Sequence, residues 1–173
     1  MISEKMTDAL NKQISLEGYA SFLYLSMAYW CDQNGFEGST QFMKRQSEEE
    51  RDHMMRIFDY MSEVDAHPLT PAIKQVPHQF SSIQDLMQQV YAHEQKVTAS
   101  INELVHLANA EKDYSTLNFL QWYVEEQREE ESLMRSILDK IKLIGDGPMS
   151  LYYIDKEIDA VNTAELNASG GEE

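Results

Sequence analysis

From Ser39 to Ile144 the chain contains no glycine, and the only prolines in that stretch are Pro68, Pro71 and Pro77. Gly and Pro destabilise helix interiors most, by about 1 and 3 kcal/mol relative to Ala. A chain that lacks them outside one short segment has little to interrupt long helices. The remaining punctuation lies at Asn34-Gly35-Phe36-Glu37-Gly38 and at Gly145-Asp146-Gly147-Pro148, on either side of the glycine-free stretch.

Apolar periodicity fills the intervals. Ile2, Met6, Ala9, Leu16, Ala20, Leu23, Met27 and Trp30 recur every three or four residues, with Gln13 in the one polar slot. A second helix, opened by Ser39 or Thr40, carries Met43, Ile57, Met61 and Val64 and stops before His67-Pro68. Residues 66–82 hold the three prolines and read as a loop. Ser81 or Ser82 opens a third helix through Ile83, Leu86, Val90, Val97, Ile101, Leu104 and Ala108. After a break at 109–113, a fourth carries Leu117, Leu120, Val124, Met134, Leu138 and Ile141. Residues 149–161 suit a short fifth helix, with Leu151, Tyr152, Ile154, Ile158 and Val161 too apolar for an isolated surface helix. The fold class is therefore all-α, a four-helix bundle plus a short C-terminal helix. Residues 1–161 form one domain, and 162–173 are expected to be a frayed polar tail.

The length of 173 residues supports a single core without staples. The formal charge of −16 speaks against nucleic acid or an anionic membrane as partner and favours cations. The single cysteine, Cys31, excludes a disulfide framework and a Cys-x-x-Cys metal site. No apolar run is long enough to span a bilayer, and the first residues lack the apolar segment of a secretion signal, so the expected compartment is the cytoplasm.

The polar interruptions of the apolar stripes carry the chemistry. Glu17 lies on the stripe of helix 1, Glu50 and His53 on that of helix 2, Glu94 on helix 3, and Gln127 and Glu130 on helix 4. Glu17 and Glu50 are as far apart as Glu94 and Gln127, 33 residues in each case. The midpoint of the first pair falls at the Asn-Gly turn and that of the second at the 109–113 break, so each pair is level within an antiparallel hairpin. The hairpins match each other in height if helices 2 and 3 run parallel. That requires a connection along the whole bundle, roughly 40 Å, which a loop of about 17 residues can span when extended. All six side chains then meet at mid-height. Any one such Glu would ordinarily sit at a stripe edge and reach water. Four carboxylates at one height in a dry interior need cations to neutralise them. Oxygen donors with one imidazole suit iron or manganese better than a thiol-loving metal.

With Glu17, the run Glu48-Glu49-Glu50-Arg51-Asp52-His53, Glu94 and the run Glu126-Gln127-Arg128-Glu129-Glu130, the sequence resembles the ferritins of the bacterial non-haem type over residues 1–161. The resemblance implies the long crossover between helices 2 and 3. It also implies a ferroxidase, oxidising Fe(II) to Fe(III) with O2 or H2O2 and storing the product as mineral. Glu17 and His53 would hold one iron, Glu94 and Glu130 the second, with Glu50 bridging and Gln127 nearby as a weak ligand or an oxygen-orienting group. A third iron would sit at Glu49, Glu126, Glu129 and Glu130. Tyr24 matches the tyrosine beside the centre, where it would supply a hydrogen bond or one electron; a packed core tyrosine is the equal alternative. The partner implied is more of the same chain, in a hollow octahedral shell of 24 subunits. Bacterioferritins and rubrerythrins repeat Glu-x-x-His on helix 4, where this chain has Gln127-x-x-Glu130. That departure counts against the alternative, a di-iron oxidase or peroxidase of rubrerythrin or bacterioferritin type. Met54 and Met55 read as core gap-fillers, and no haem is expected.

Overall fold

The computed structural model describes residues 2–169. It contains five helices, α1 (Glu4–Gln33), α2 (Glu37–Glu63), α3 (Ile83–Glu111), α4 (Tyr114–Ile144) and α5 (Ser150–Ser169). No strand occurs among the described residues, and no helix there is long and apolar enough to cross a membrane.

Most helix ends follow from local chemistry. Ser3 caps α1 by accepting from the Met6 amide, and Gly35, at φ 78°, lets the chain leave it. Ser82 caps α3 through the Asp85 amide and Asp113 caps α4 through the Thr116 amide. The start of α2 departs from expectation. The helix begins at Glu37, ahead of Ser39 and Thr40, and the preceding Phe36 offers no capping side chain. Asp155 of α5 supplies the acceptor instead, taking the Gly38 and Ser39 amides at 3.0 and 2.8 Å and the Ser39 hydroxyl at 2.7 Å. This approach requires glycine: a Cβ on Gly38 would lie 2.6 Å from both the Asp155 carbonyl oxygen and the Asp159 Cβ.

The fifth helix is also longer than expected. It continues past Val161 to Ser169 rather than fraying at 162. The physical reason is contact with α2: Ile154 and Ile158 are buried, and Asn162, also buried, accepts a hydrogen bond from Arg45 Nε at 2.8 Å. The last four residues of the expected tail, 170–173, lie outside the described residues.

The connection between α2 and α3 runs along α1. Asn11 holds its beginning, donating to the His67 carbonyl and accepting from the Leu69 amide, and Ser26 holds its end by donating to the Pro77 carbonyl. Fifteen residues of α1 separate these anchors, roughly 22 Å of axis. The loop is therefore a crossover, and α2 and α3 run parallel.

The buried apolar side chains fall into two clusters. One joins Ala20–Cys31 of α1 with Phe42, Met43, Ile83–Val90, Met134–Ile141 and the α5 isoleucines. The other joins Met6–Ile14 with Ile57–Met61, Val97–Ala108, Leu120 and Tyr123. On every bundle helix the residues between the two clusters include those singled out above: Glu17, Glu50 and His53, Glu94, Gln127 and Glu130.

Candidate metal centre

All six side chains are buried, with Glu17, Glu50, Glu94 and Glu130 exposed by 1, 2, 0 and 7%. The level spacing read from the sequence is therefore realised as one polar layer between two apolar cores. Glu17, Glu50 and His53 come closest together, each offering a donor atom within 4.8 Å of the others. His53 Nδ1 lies 3.6 Å from Glu50 Oε2. Tyr123 donates to the His53 carbonyl at 2.6 Å, and the Trp122 ring meets the imidazole edge-on at 5.2 Å. On the other side, Glu94 Oε1 accepts from the Tyr24 hydroxyl and Glu94 Oε2 from Gln127 Nε2 at 3.1 Å. Tyr24 is thus both a packed core residue and a donor to the layer.

Burial sets the electrostatics. Removal from water, reinforced by Glu94 and Glu17, raises the Glu50 carboxyl well above the ordinary range. Burial likewise raises Glu130, with Glu94 and Glu49 adding to the effect. Glu94 is pushed up to about 7, burial outweighing the hydrogen bonds from Tyr24 and Gln127 that pull it down. Burial beside Glu94 and Glu50 raises the Tyr24 phenol too. Protons alone can relieve this congestion, but they leave oxygens unused. Glu17 Oε2, Glu50 Oε2 and Glu130 Oε2 are buried without a hydrogen-bond donor among the described residues. Buried acceptors without donors, next to an imidazole, are what an oxygen-preferring divalent cation satisfies.

A second acidic group adjoins the layer. Glu49, Glu126, Glu129 and Glu130 line one hollow of about 390 Å³, on the side where α5 crosses α2 and α4. Glu126 Oε1 reaches to 3.9 Å from His53 Nε2, and burial raises its carboxyl. Glu129 stays 71% exposed at its side chain, 3.7 Å from Arg128, so it stands at the rim.

Residues 7–144 match the model of the ferritin-like domain family, described as Ferritin. The chain is 44% identical over 163 residues to the bacterial non-heme ferritin of Escherichia coli, covering 94% of this chain and 99% of that protein. It is 46% identical to the bacterial non-heme ferritin of Campylobacter jejuni over 158 residues, 91% of this chain and 95% of the relative. Among solved structures, the open-pore ferritin of the archaeon Archaeoglobus fulgidus superposes with a TM-score of 0.89 at 44% identity, covering 92% and 98% of the two chains.

The chain belongs to the ferritin family. Its function is the family's: it oxidises Fe(II) as a ferroxidase and stores iron.

Three residues that this ferritin places at its centre were not singled out as site residues by periodicity. Gln13, noted only as a polar slot, donates to Glu17 Oε1 at 2.9 Å and accepts from the Ser100 hydroxyl. Its signal was present, since a polar residue one turn before Glu17 on a core stripe lies against it. Gln46 donates to Glu49 Oε2 at 2.6 Å and to Glu130 Oε1 at 3.4 Å. His93, next to Glu94, is buried between the Tyr19 and Tyr24 rings, and burial lowers its imidazole to about 4. Nothing local distinguishes His93, whose ring neighbours come from α1; Gln46 lies one turn before Glu49 on its own helix, but its contact with Glu130 comes from α4.

Proposed function

We propose that Glu17 and His53 take one Fe(II) and Glu94 and Glu130 a second, with Glu50 shared between the two and Gln127 a weak donor beside Glu94. The observation that supports this most is the set of buried carboxylate oxygens without donors, held at one height between two apolar cores. Iron is substrate here. Its entry displaces the protons that burial keeps on Glu50, Glu94 and Glu130. Carboxylates are hard anions, so they favour Fe(III) over Fe(II) and make the bound ions easier to oxidise. Two ferrous ions supply two electrons. These reduce O2 to H2O2, or H2O2 to water, with the protons coming from the displaced carboxyls and from water. Tyr24 holds Glu94 in place by its hydroxyl.

A third position, at Glu49, Glu126, Glu129 and Glu130, receives an ion beside the pair. Its support is the shared hollow and the contact of Glu126 with His53. The same reading makes the assembly a hollow shell of 24 subunits with octahedral symmetry. It is supported by exposed apolar side chains on α1 (Phe22, Leu25, Tyr29) and α5 (Leu151, Tyr152, Tyr153), which a lone subunit would leave in water. A cytoplasmic location fits the one free thiol, Cys31, buried and with its pKa raised to about 12 by burial.

One experiment tests the whole reading. Fe(II) is added to metal-free protein while oxygen uptake and particle mass are recorded. Rapid uptake proportional to iron, by a particle of about 24 chain masses, is the expected result. A small oligomer without iron-dependent uptake overturns it.

A further inference from the structure

The third position depends on Glu49, and both Glu49 oxygens already have partners. Arg45 Nη1 donates to Oε1, and Gln46 Nε2 donates to Oε2 at 2.6 Å. Arg45 is fixed in turn from the fifth helix, its Nε donating to Asn162 Oδ1 at 2.8 Å. A continuous hydrogen-bonded chain therefore runs from α5 into the polar layer: Asn162, Arg45, Glu49, Gln46, Glu130.

The Arg45 side chain is only 14% exposed and its Nη2 has no hydrogen-bond partner among the described residues, so water does little to screen the guanidinium. An exposed Arg–Glu pair one turn apart contributes a few tenths of a kcal/mol. Here the guanidinium is largely desolvated and held at a second point, while the Glu49 side chain stays 37% exposed, and the charge-assisted bond is strengthened from the arginine side. The hollow that lodges the pair is walled by Glu126, Glu129 and Glu130 as well. Arg45 is thus the resident cation of an acidic hollow, on the very carboxylate an incoming ion needs.

We propose that Arg45, oriented by Asn162 of α5, is a built-in competitor for Glu49 that keeps the third position weaker than the pair. It neutralises Glu49 while no ion is there, yields the carboxylate to an entering cation, and reclaims it when the ion departs. Asn162 keeps the displaced guanidinium within reach. Arg45 and Asn162 are positioning residues in this scheme. A position that passes ions on must not hold them tightly, and a tethered cation achieves that without loss of a ligand. The inference rests on the third-position reading above.

The test is calorimetric titration of the metal-free assembled protein with Zn(II), which binds without redox chemistry and so reports affinity alone. The wild type is expected to show a tight class and a weaker class of sites. Arg45→Met should strengthen the weak class by roughly tenfold, the worth of about one charge-assisted hydrogen bond, and leave the tight class unchanged. Asn162→Ala, which keeps Arg45 and Glu49, should strengthen the weak class by about two- to threefold. Should Arg45→Met fail to assemble, Arg45→Lys replaces it. Lysine keeps the charge but cannot bond Asn162 and Glu49 together in the same fork, so the weak class should again strengthen. A weak class insensitive to Arg45, or weakened by its loss, overturns the competitor and leaves the third position standing. An Asn162→Ala titration identical to wild type removes the role of α5. If the wild type has no weak class, the third position and the competitor fall together.

Discussion

The two hairpins contribute to the proposed metal centre unequally. The α1–α2 half brings Glu17, Glu50 and His53 within 4.8 Å of one another and leaves an oxygen of each Glu without a donor. In the α3–α4 half, Glu94 is occupied on both oxygens, by Tyr24 and Gln127, while Glu130 receives a longer bond from Gln46 on one oxygen and leaves the other without a donor. The sequence spacing is nearly symmetric, yet the first half offers a free oxygen on both of its carboxylates, whereas in the second Glu130 offers one and Glu94 must exchange protein donors for a cation. The lesson is that level placement of carboxylates creates a site, and the hydrogen bonds around them rank its positions.

The largest expected effect tests what joins the halves. Removal of groups that merely support metal ligands commonly costs 10–100-fold, so Glu50→Ala, which removes the shared carboxylate, should slow fast Fe(II) oxidation by more than about 100-fold. Stopped-flow absorbance of ferric product measures this, and a variant as fast as wild type refutes the shared role.

Next comes the asymmetry itself. His53→Ala should weaken tight Zn(II) binding by about 100-fold, whereas Gln127→Leu should cost less than about tenfold. Equal losses in a titration would show that the two halves rank alike.

A third measurement uses pH. Glu94 has a folded pKa of about 7 against an ordinary 4.5, so the folded protein binds more protons than the unfolded chain between those values. By linkage, the Glu94 contribution is fully present below 4.5 and is lost as pH rises through 7. The lowered imidazole of His93 acts with the opposite sign, its contribution being present above 6.5 and lost as pH falls toward 4. Comparing metal-free wild type with Glu94→Gln cancels the His93 part. The variant's advantage in melting temperature should grow steadily from pH 4.5 to 7 and then level off. An advantage independent of pH would mean that Glu94 ionises normally.

The smallest effect belongs to Tyr24. Tyr24→Phe removes a donor that favours the charged form of Glu94, so protons compete better with the second ion. Zn(II) affinity at that position should fall by about threefold at pH near 6.5, and the loss should fade above pH 8, where Glu94 is ionised in either protein. A loss of the same size at both pH values would assign Tyr24 to packing alone.

Much of this was legible in residue order because helix periodicity is local. Glu17, Glu50, Glu94 and Gln127 could be placed at one height by counting from two turns, since an α-helix rises by a constant amount per residue. The crossover followed from the need to bring the two hairpins to one height and from a loop long enough to run along the bundle. The bond of Gln46 to Glu130 and the burial of His93 were not legible, because a polar residue beside a stripe looks the same whether it meets water or groups from another helix.

The sequence by itself determined four long helices and the level at which their acids stand, through spacing repeated along each helix. Only the tertiary structure decided that Asp155 caps α2 across a Cβ-free Gly38, that α5 extends to Ser169, and that Arg45 is tied to Asn162 of α5 and Gln46 to Glu130 of α4. The physical reason is the range of the interactions. Periodicity is written within a few neighbours, whereas the partner of a hydrogen-bonding group depends on which helix packs against it and at what height.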